Sequence, residues 1–176
     1  MGLAGLFRRP RFERAGFELY GAAVAAARQP RFYAEWGVPD TVPGRFEMVC
    51  LHNGLLIHRI NREGNKDARD LAQSCFDAMF ADMDVNLREM GISDLRVGNR
   101  VKMLWEGFHG RAQAYIQAIE AGDDAALEAA LLRNVWVKDP APDGAPEALA
   151  RHARAVEAAL APQDFATLAA GRVAFP

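Results

Sequence analysis

F-D-A-M-F-A-D-M-D-V-N-L-R-E-M-G, residues 76–91, places Phe76, Met79, Phe80, Met83, Leu87 and Met90 at steps of three and four. That is the period at which side chains share one face of an α-helix. Asp77, Asp82, Asp84, Arg88 and Glu89 fall mostly on the other side, and Gly91 closes the pattern where a helix end favours positive φ. The pattern predicts a central helix with the other helices packed round its Phe/Met face.

Outward from it the same period recurs, and no strand pattern persists. A first helix is expected from about Arg14 to Arg28, stopping before Pro30. R-F-Y-A-E-W-G-V-P-D-T-V-P-G-R-F, residues 31–46, is too rich in Gly and Pro for a long helix. A short helical turn there would put Phe32, Tyr33 and Trp36 on one side. Loops carry three large aromatics when they are packed down or bind something. A second helix, about Gly44 to Arg62, carries two apolar rows. The third spans about Asp67 to Met90, and Ser93 or Asp94 suits the N-cap of a fourth, Val97 to Ala121. A fifth follows from Ala125 to Val135, then K-D-P-A-P-D-G-A-P at 138–146, a linker by composition. Beyond it lie an alanine-rich helix, Glu147 to Leu160, and a short last one after Pro162. The expectation is an all-α, single-domain bundle of six to seven helices with a short aromatic, Pro-rich connection after the first. Its parts are a basic arm (1–13), a helical domain (14–137), the linker (138–146) and a C-terminal segment (147–176) packed on the same domain.

At 176 residues the chain can bury a core without staples. A formal charge of −2 gives no basic face for DNA. Cys50 and Cys75 sit in apolar helical patterns, as small buried residues rather than a bridge. No apolar run reaches the ~18 residues of a membrane span. Arginines at 8, 9, 11 and 14 precede Ala15–Ala27, which ends A-V-A-A-A like a signal peptide, but Glu18 interrupts the apolar segment. A cytoplasmic protein is expected. Leu3, Leu6 and Phe7 beside those arginines suit contact with an anionic membrane surface, the alternative being a frayed basic terminus.

Residues that carry chemistry are sparse. Glu106 and His109 form one E-x-x-H, half of a di-iron carboxylate set, with no second copy; His109 is expected as a partly buried polar residue. Ser74 lacks a nucleophile elbow, and neither cysteine has a basic context. Neither enzymatic activity nor a cofactor is expected. Binding features remain: Met48, Met79, Met83, Met90 and Met103, with Phe76, Phe80, Trp105 and Phe108, on three helices. Methionine-rich surface adapts to partner helices, although most of these side chains individually suit a core.

Three ordered motifs carry a resemblance: residues 31–48, residues 71–94 (L-A-Q-S-C-F-D-A-M-F-A-D-M-D-V-N-L-R-E-M-G-I-S-D) and V-G-N-R-V-K at 97–102. Together they resemble the ubiquinol–cytochrome c chaperone family over about Phe32 to Val137. The resemblance implies a helical, non-enzymatic assembly factor for the cytochrome bc1 complex that holds newly made cytochrome b, with a small co-chaperone or the ribosome as further partners. Matching motifs and polarity together select Phe32, Tyr33, Trp36, Asp40, Arg45, Phe80, Asp82, Met83, Arg88 and Lys102 as partner-binding residues. The aromatics would form one wall, and Arg45, Asp82, Arg88 and Lys102 a charged rim with Arg100 nearby. The alternative is a small helical module for haem or another hydrophobic ligand.

Overall fold

The computed structural model describes residues 11–91, 94–138 and 140–176, with side chains for all of these except 94–97, 99 and 100. The basic arm up to Pro10, Ser93 with the Asp94 side chain, and the Arg100 side chain therefore lie outside the described residues. Eight helices and no strand occur among them: α1 (Glu13–Ala27), α2 (Pro30–Ala34), α3 (Val42–Asn61), α4 (Lys66–Glu89), α5 (Asp94–Ala121), α6 (Asp124–Val135), α7 (Ala145–Leu160) and α8 (Phe165–Ala169). They agree with the expected bundle of about six to seven helices, α2 being the short helical turn of the aromatic stretch, started by Pro30, which is pre-set for a first helical turn.

Helix starts follow local chemistry. Asn65, Asp123 and Asp164 each accept a hydrogen bond from a backbone N–H three residues on, at 2.8–2.9 Å, which satisfies a donor the helix itself leaves unpaired. Thr41 does the same for α3, more loosely, at 3.3 Å.

The apolar rows then set the packing. α3 and α4 form an antiparallel hairpin, and α4 and α5 a second, with Phe76 of α4 5.7 Å from Phe108 of α5 between ring centroids. α1 lies alongside α4 and parallel to it: Arg11 meets Asp67, Gly16 meets Ser74 and Tyr20 meets Asp82. The approach at Gly16 is close enough that a Cβ there would lie 2.6 Å from the Ser74 backbone carbon. Only glycine fits.

The central helix is α3, not α4. Every residue from Cys50 to Leu56 is buried, because two adjacent apolar rows meet α1, α4 and α5 on one side and α6 and α7 on the other. α7 closes the bundle with Leu149, Ala153 and Val156 wholly buried. The segment before α7 is held too: Trp136 Nε1 donates to the Gly37 carbonyl at 3.0 Å, and Pro142 packs against Gly37.

Two buried clusters result. The larger joins α1, α3, α6, α7 and the start of α4. The smaller, built of Tyr20, Cys50, Ala78, Met79, Met83 and Phe108, lies where α4 and α5 run toward their shared turn. Past it, no α4 residue after Met83 is buried, nor any described α5 side chain before Phe108. The α4–α5 hairpin thus carries its apolar pattern beyond the core.

Candidate functional site

The exposed end of this hairpin carries four of the eight large apolar side chains exposed among the described residues. Val85 is 52% exposed, Met90 57%, Met103 61% and Trp105 45%. Scattered apolar residues are ordinary on a surface, but several on one hairpin that runs past the core make it the candidate interaction site. Trp105 belongs to an aromatic ladder that links the two helices. Phe80 lies 4.6 Å from Phe76, Phe76 lies 5.2 Å from His109, and His109 stacks 4.3 Å from Trp105. The His109 ring is oriented by its Nδ1, which lies 3.0 Å from the Trp105 carbonyl and donates to it. His109 is exposed rather than partly buried, since residues 105 and 109 share the outer face of α5.

Polar contacts anchor the hairpin to the bundle. The Tyr20 hydroxyl of α1 donates to Asp82 at 2.7 Å, and burial followed by that carboxylate pushes the phenol far above its usual range. Asn53 Nδ2 of α3 donates to the Met79 sulfur at 3.3 Å. Deeper, Glu47 is 5% exposed with Arg111 Nε 2.6 Å from its Oε2. Burial pushes the Glu47 carboxyl up to about 7, against the pull of Arg111. Cys50 beside it is held as a thiol by burial. A thiol so disfavoured as thiolate is a packing residue. Among the described residues no group of three or more His, Cys, Asp or Glu is placed to hold a metal ion.

The ten residues selected from sequence separate into two groups. Phe80, Asp82, Met83, Arg88 and Lys102 belong to the hairpin. Met83 is nearly buried under it and Phe80 partly so. Arg88 pairs with Asp84 at 2.6 Å, and Lys102 approaches Glu106 at 3.9 Å, both one helical turn apart on the flanks. Phe32, Tyr33 and Trp36 join the larger cluster instead, apart from the hairpin. Phe32 has no exposed surface, so it cannot form a wall against a partner. Its ring is enclosed by Trp36 at 5.3 Å, His52 at 5.7 Å and His152 at 4.9 Å. Tyr33 donates to the Ala27 carbonyl at 2.9 Å and pins α2 to α1. Asp40 and Arg45 form an exposed pair, 2.6 Å apart, at the start of α3. The aromatic segment is a pinned connection, while the hairpin carries the more exposed apolar side chains. Val85 was not among the selected residues, because one valine between Asp84 and Asn86 carries no signal until its surroundings are known.

Residues 34–175 match the family model described as ubiquinol-cytochrome C chaperone. A Xenopus laevis protein named ubiquinol-cytochrome-c reductase complex assembly factor 1 is 25% identical over 140 residues, spanning 78% of this chain and 69% of that protein. A Drosophila melanogaster protein of the same name is 27% identical over 122 residues, 67% of this chain and 47% of its own length. The crystal structure of the Cbp3 homologue from Brucella abortus superposes with a TM-score of 0.83 at 40% identity, covering 94% of this chain and 91% of that one.

Proposed function

Since the chain belongs to the ubiquinol-cytochrome C chaperone family, we propose that it assists assembly of the ubiquinol–cytochrome c reductase (bc1) complex by capturing newly made cytochrome b on the α4–α5 hairpin. The observation that carries this is that the hairpin runs past the core with Val85, Met90, Met103 and Trp105 exposed on it and an aromatic ladder joining its two helices. Cytochrome b segments that have not yet packed would expose apolar helical faces. Unbranched methionines can conform to many such faces, which suits a holder of unfinished protein better than a rigid pocket would.

The energetics favour reversible capture. Covering each of four half-exposed side chains contributes on the order of 1 kcal/mol, which association entropy largely offsets. A client held this weakly leaves once its own helices pack. Arg88 and Lys102, with Asp84 and Glu106, would rim the patch and disfavour misplaced charge. The protein acts by binding rather than catalysis, from the cytoplasmic side, where a co-chaperone or the ribosome would deliver the client.

The test is complementation of a strain lacking the chaperone with Met103→Glu/Trp105→Glu. Loss of the b-type haem signal in membrane difference spectra is expected, with variant protein at normal abundance and its melting temperature unchanged. Normal bc1 activity from that variant would remove the hairpin from the mechanism.

A further inference from the structure

We propose that residues 172–176 plug a cleft built to bind an extended apolar peptide, so that the chain carries its own inhibitor of that site. The segment is attached to the fold as a ligand is, rather than as an element of it. α8 ends at Gly171, whose φ of 78° stops the helix. The Gly171 N–H donates to the Leu168 carbonyl at 2.9 Å and the Arg172 N–H to the Thr167 carbonyl at 3.2 Å. Beyond Arg172 the chain has no helix and, among the described residues, no backbone–backbone hydrogen bond. Its burial alternates instead: Val173 and Phe175 are half-buried, while Arg172, Ala174 and Pro176 are exposed. That period of two belongs to an extended strand with one face against a surface.

The cleft reads two features. Side-chain amides hold the backbone. Gln163 Nε2 donates to the Ala174 carbonyl at 2.7 Å, and Gln163 Oε1 accepts from the Ala174 N–H at 2.9 Å. One amide thus meets both polar groups of one residue, as a neighbouring strand would. The same Nε2 donates to the Ala159 carbonyl at 2.9 Å, which fixes the amide to the end of α7. Gln29 Nε2, between α1 and α2, donates to the Pro176 carbonyl at 3.3 Å. The apolar side chains go inward. Val173 and Phe175 pack on the larger buried cluster, the Phe175 ring 5.8 Å from that of His52 on α3. These hydrogen bonds touch only the segment's backbone, so the chemistry recognised is an extended chain with apolar residues two apart, a pattern many sequences satisfy. A charged side chain in either inward position would face the core unpaired. A helical segment would have no free backbone amide to offer Gln163.

Covalent attachment makes the plug effective although its contacts are few. A tethered segment competes at an effective concentration on the order of millimolar, so a peptide in solution displaces it only by binding better. The plug packs on the larger cluster, whereas the aromatic side chains of the hairpin pack on the smaller one. Peptide binding here does not depend on capture at the hairpin.

The experiment is fluorescence anisotropy with a labelled, N-acetylated peptide of residues 172–176, added to the full chain and to a chain ending at Gly171. The shortened chain should keep its cooperative melt and bind the peptide at least about tenfold more tightly than the full chain does. Phe175→Asp in the full chain should open the cleft without a deletion and bind the peptide as the shortened chain does. A Val173→Leu/Phe175→Leu peptide should also bind, and a Val173→Asp/Phe175→Asp peptide should not. Gln163→Ala in the shortened chain should weaken binding about tenfold. Loss of folding in both opened chains, no peptide binding by a folded one, equal affinity in the full chain, or binding confined to the native peptide sequence would overturn the proposal.

Discussion

His52 of α3 and His152 of α7 meet with their Nε2 atoms 3.0 Å apart. Their partners dictate the protons. Arg31 can only donate, so His152 Nδ1, 3.1 Å away, accepts. His152 Nε2–H then donates to His52, whose Nδ1–H donates to the Met48 carbonyl at 2.8 Å. The relay is complete with both rings neutral and has no place for another proton. Burial, first of all, depresses His52 to about 4 and His152 to about 3, with Arg31 adding to both. The unfolded chain takes up protons below about 6.5, while the folded chain does not. This pair therefore stabilises fully above that pH and loses its contribution as the pH falls toward 4. Glu47 acts in the opposite sense. Its raised folded value makes stability decline as the pH rises from the ordinary carboxylate range toward 7. The two slopes overlap, so the histidines are isolated by difference. His52→Gln/His152→Gln should flatten the rise in urea midpoint between pH 5 and 7 relative to the unmodified chain. A parallel rise in both proteins would mean the rings titrate in the fold as they do in the unfolded chain.

At the scale of helices, the α1–α4 contact is the most exacting. A Cβ at Gly16 would meet Ser74 backbone and side chain at 2.6–2.7 Å, and neither helix can move without disturbing Arg11–Asp67 and Tyr20–Asp82. Gly16→Val should cost about 1–3 kcal/mol, read as a lower urea midpoint with an unchanged m-value. Should the midpoint stay put, α1 would have to sit farther from α4. Helix positions themselves were legible in the sequence, since period and punctuation are local. Which helix is central was not. The α4 pattern Phe76–Met90 has the cleaner stripe, but Met79 and Met83 sink while Met90 remains in solvent. Similarly, Phe32 and Phe80 look alike as aromatic members of family motifs. One is locked between α3 and α7, and the other stands in the ladder of the exposed hairpin.

For the molecule as a whole, the C-terminal segment, residues 145–176, is part of the core. Leu149, Ala153, Val156 and Leu168 are wholly buried, and the tail returns to the α1–α2 junction and to α3: Gln29 donates to the Pro176 carbonyl and Phe175 packs 5.8 Å from His52. Removing residues 145–176 uncovers His52 and the outer row of α3 together. The shortened chain should lose its cooperative thermal transition and bind ANS, as a state with loosened packing does. A sharp melt at the original temperature would instead make α7 an accessory. No helix among the described residues is long and apolar enough to cross a membrane.

The sequence by itself determined the all-α class, the helix limits to within a few residues and, through three ordered motifs, the family. Each rests on near neighbours along the chain: a period of three and four, a cap three residues before a free N–H, a proline. Burial depends on residues far apart in sequence. Tertiary structure alone decided that α3 takes the centre, that the aromatic connection is pinned by α7, and that the methionine-bearing hairpin runs past the core. An apolar residue satisfies the same pattern whether another helix covers it or water does, and only the assembled fold separates the two.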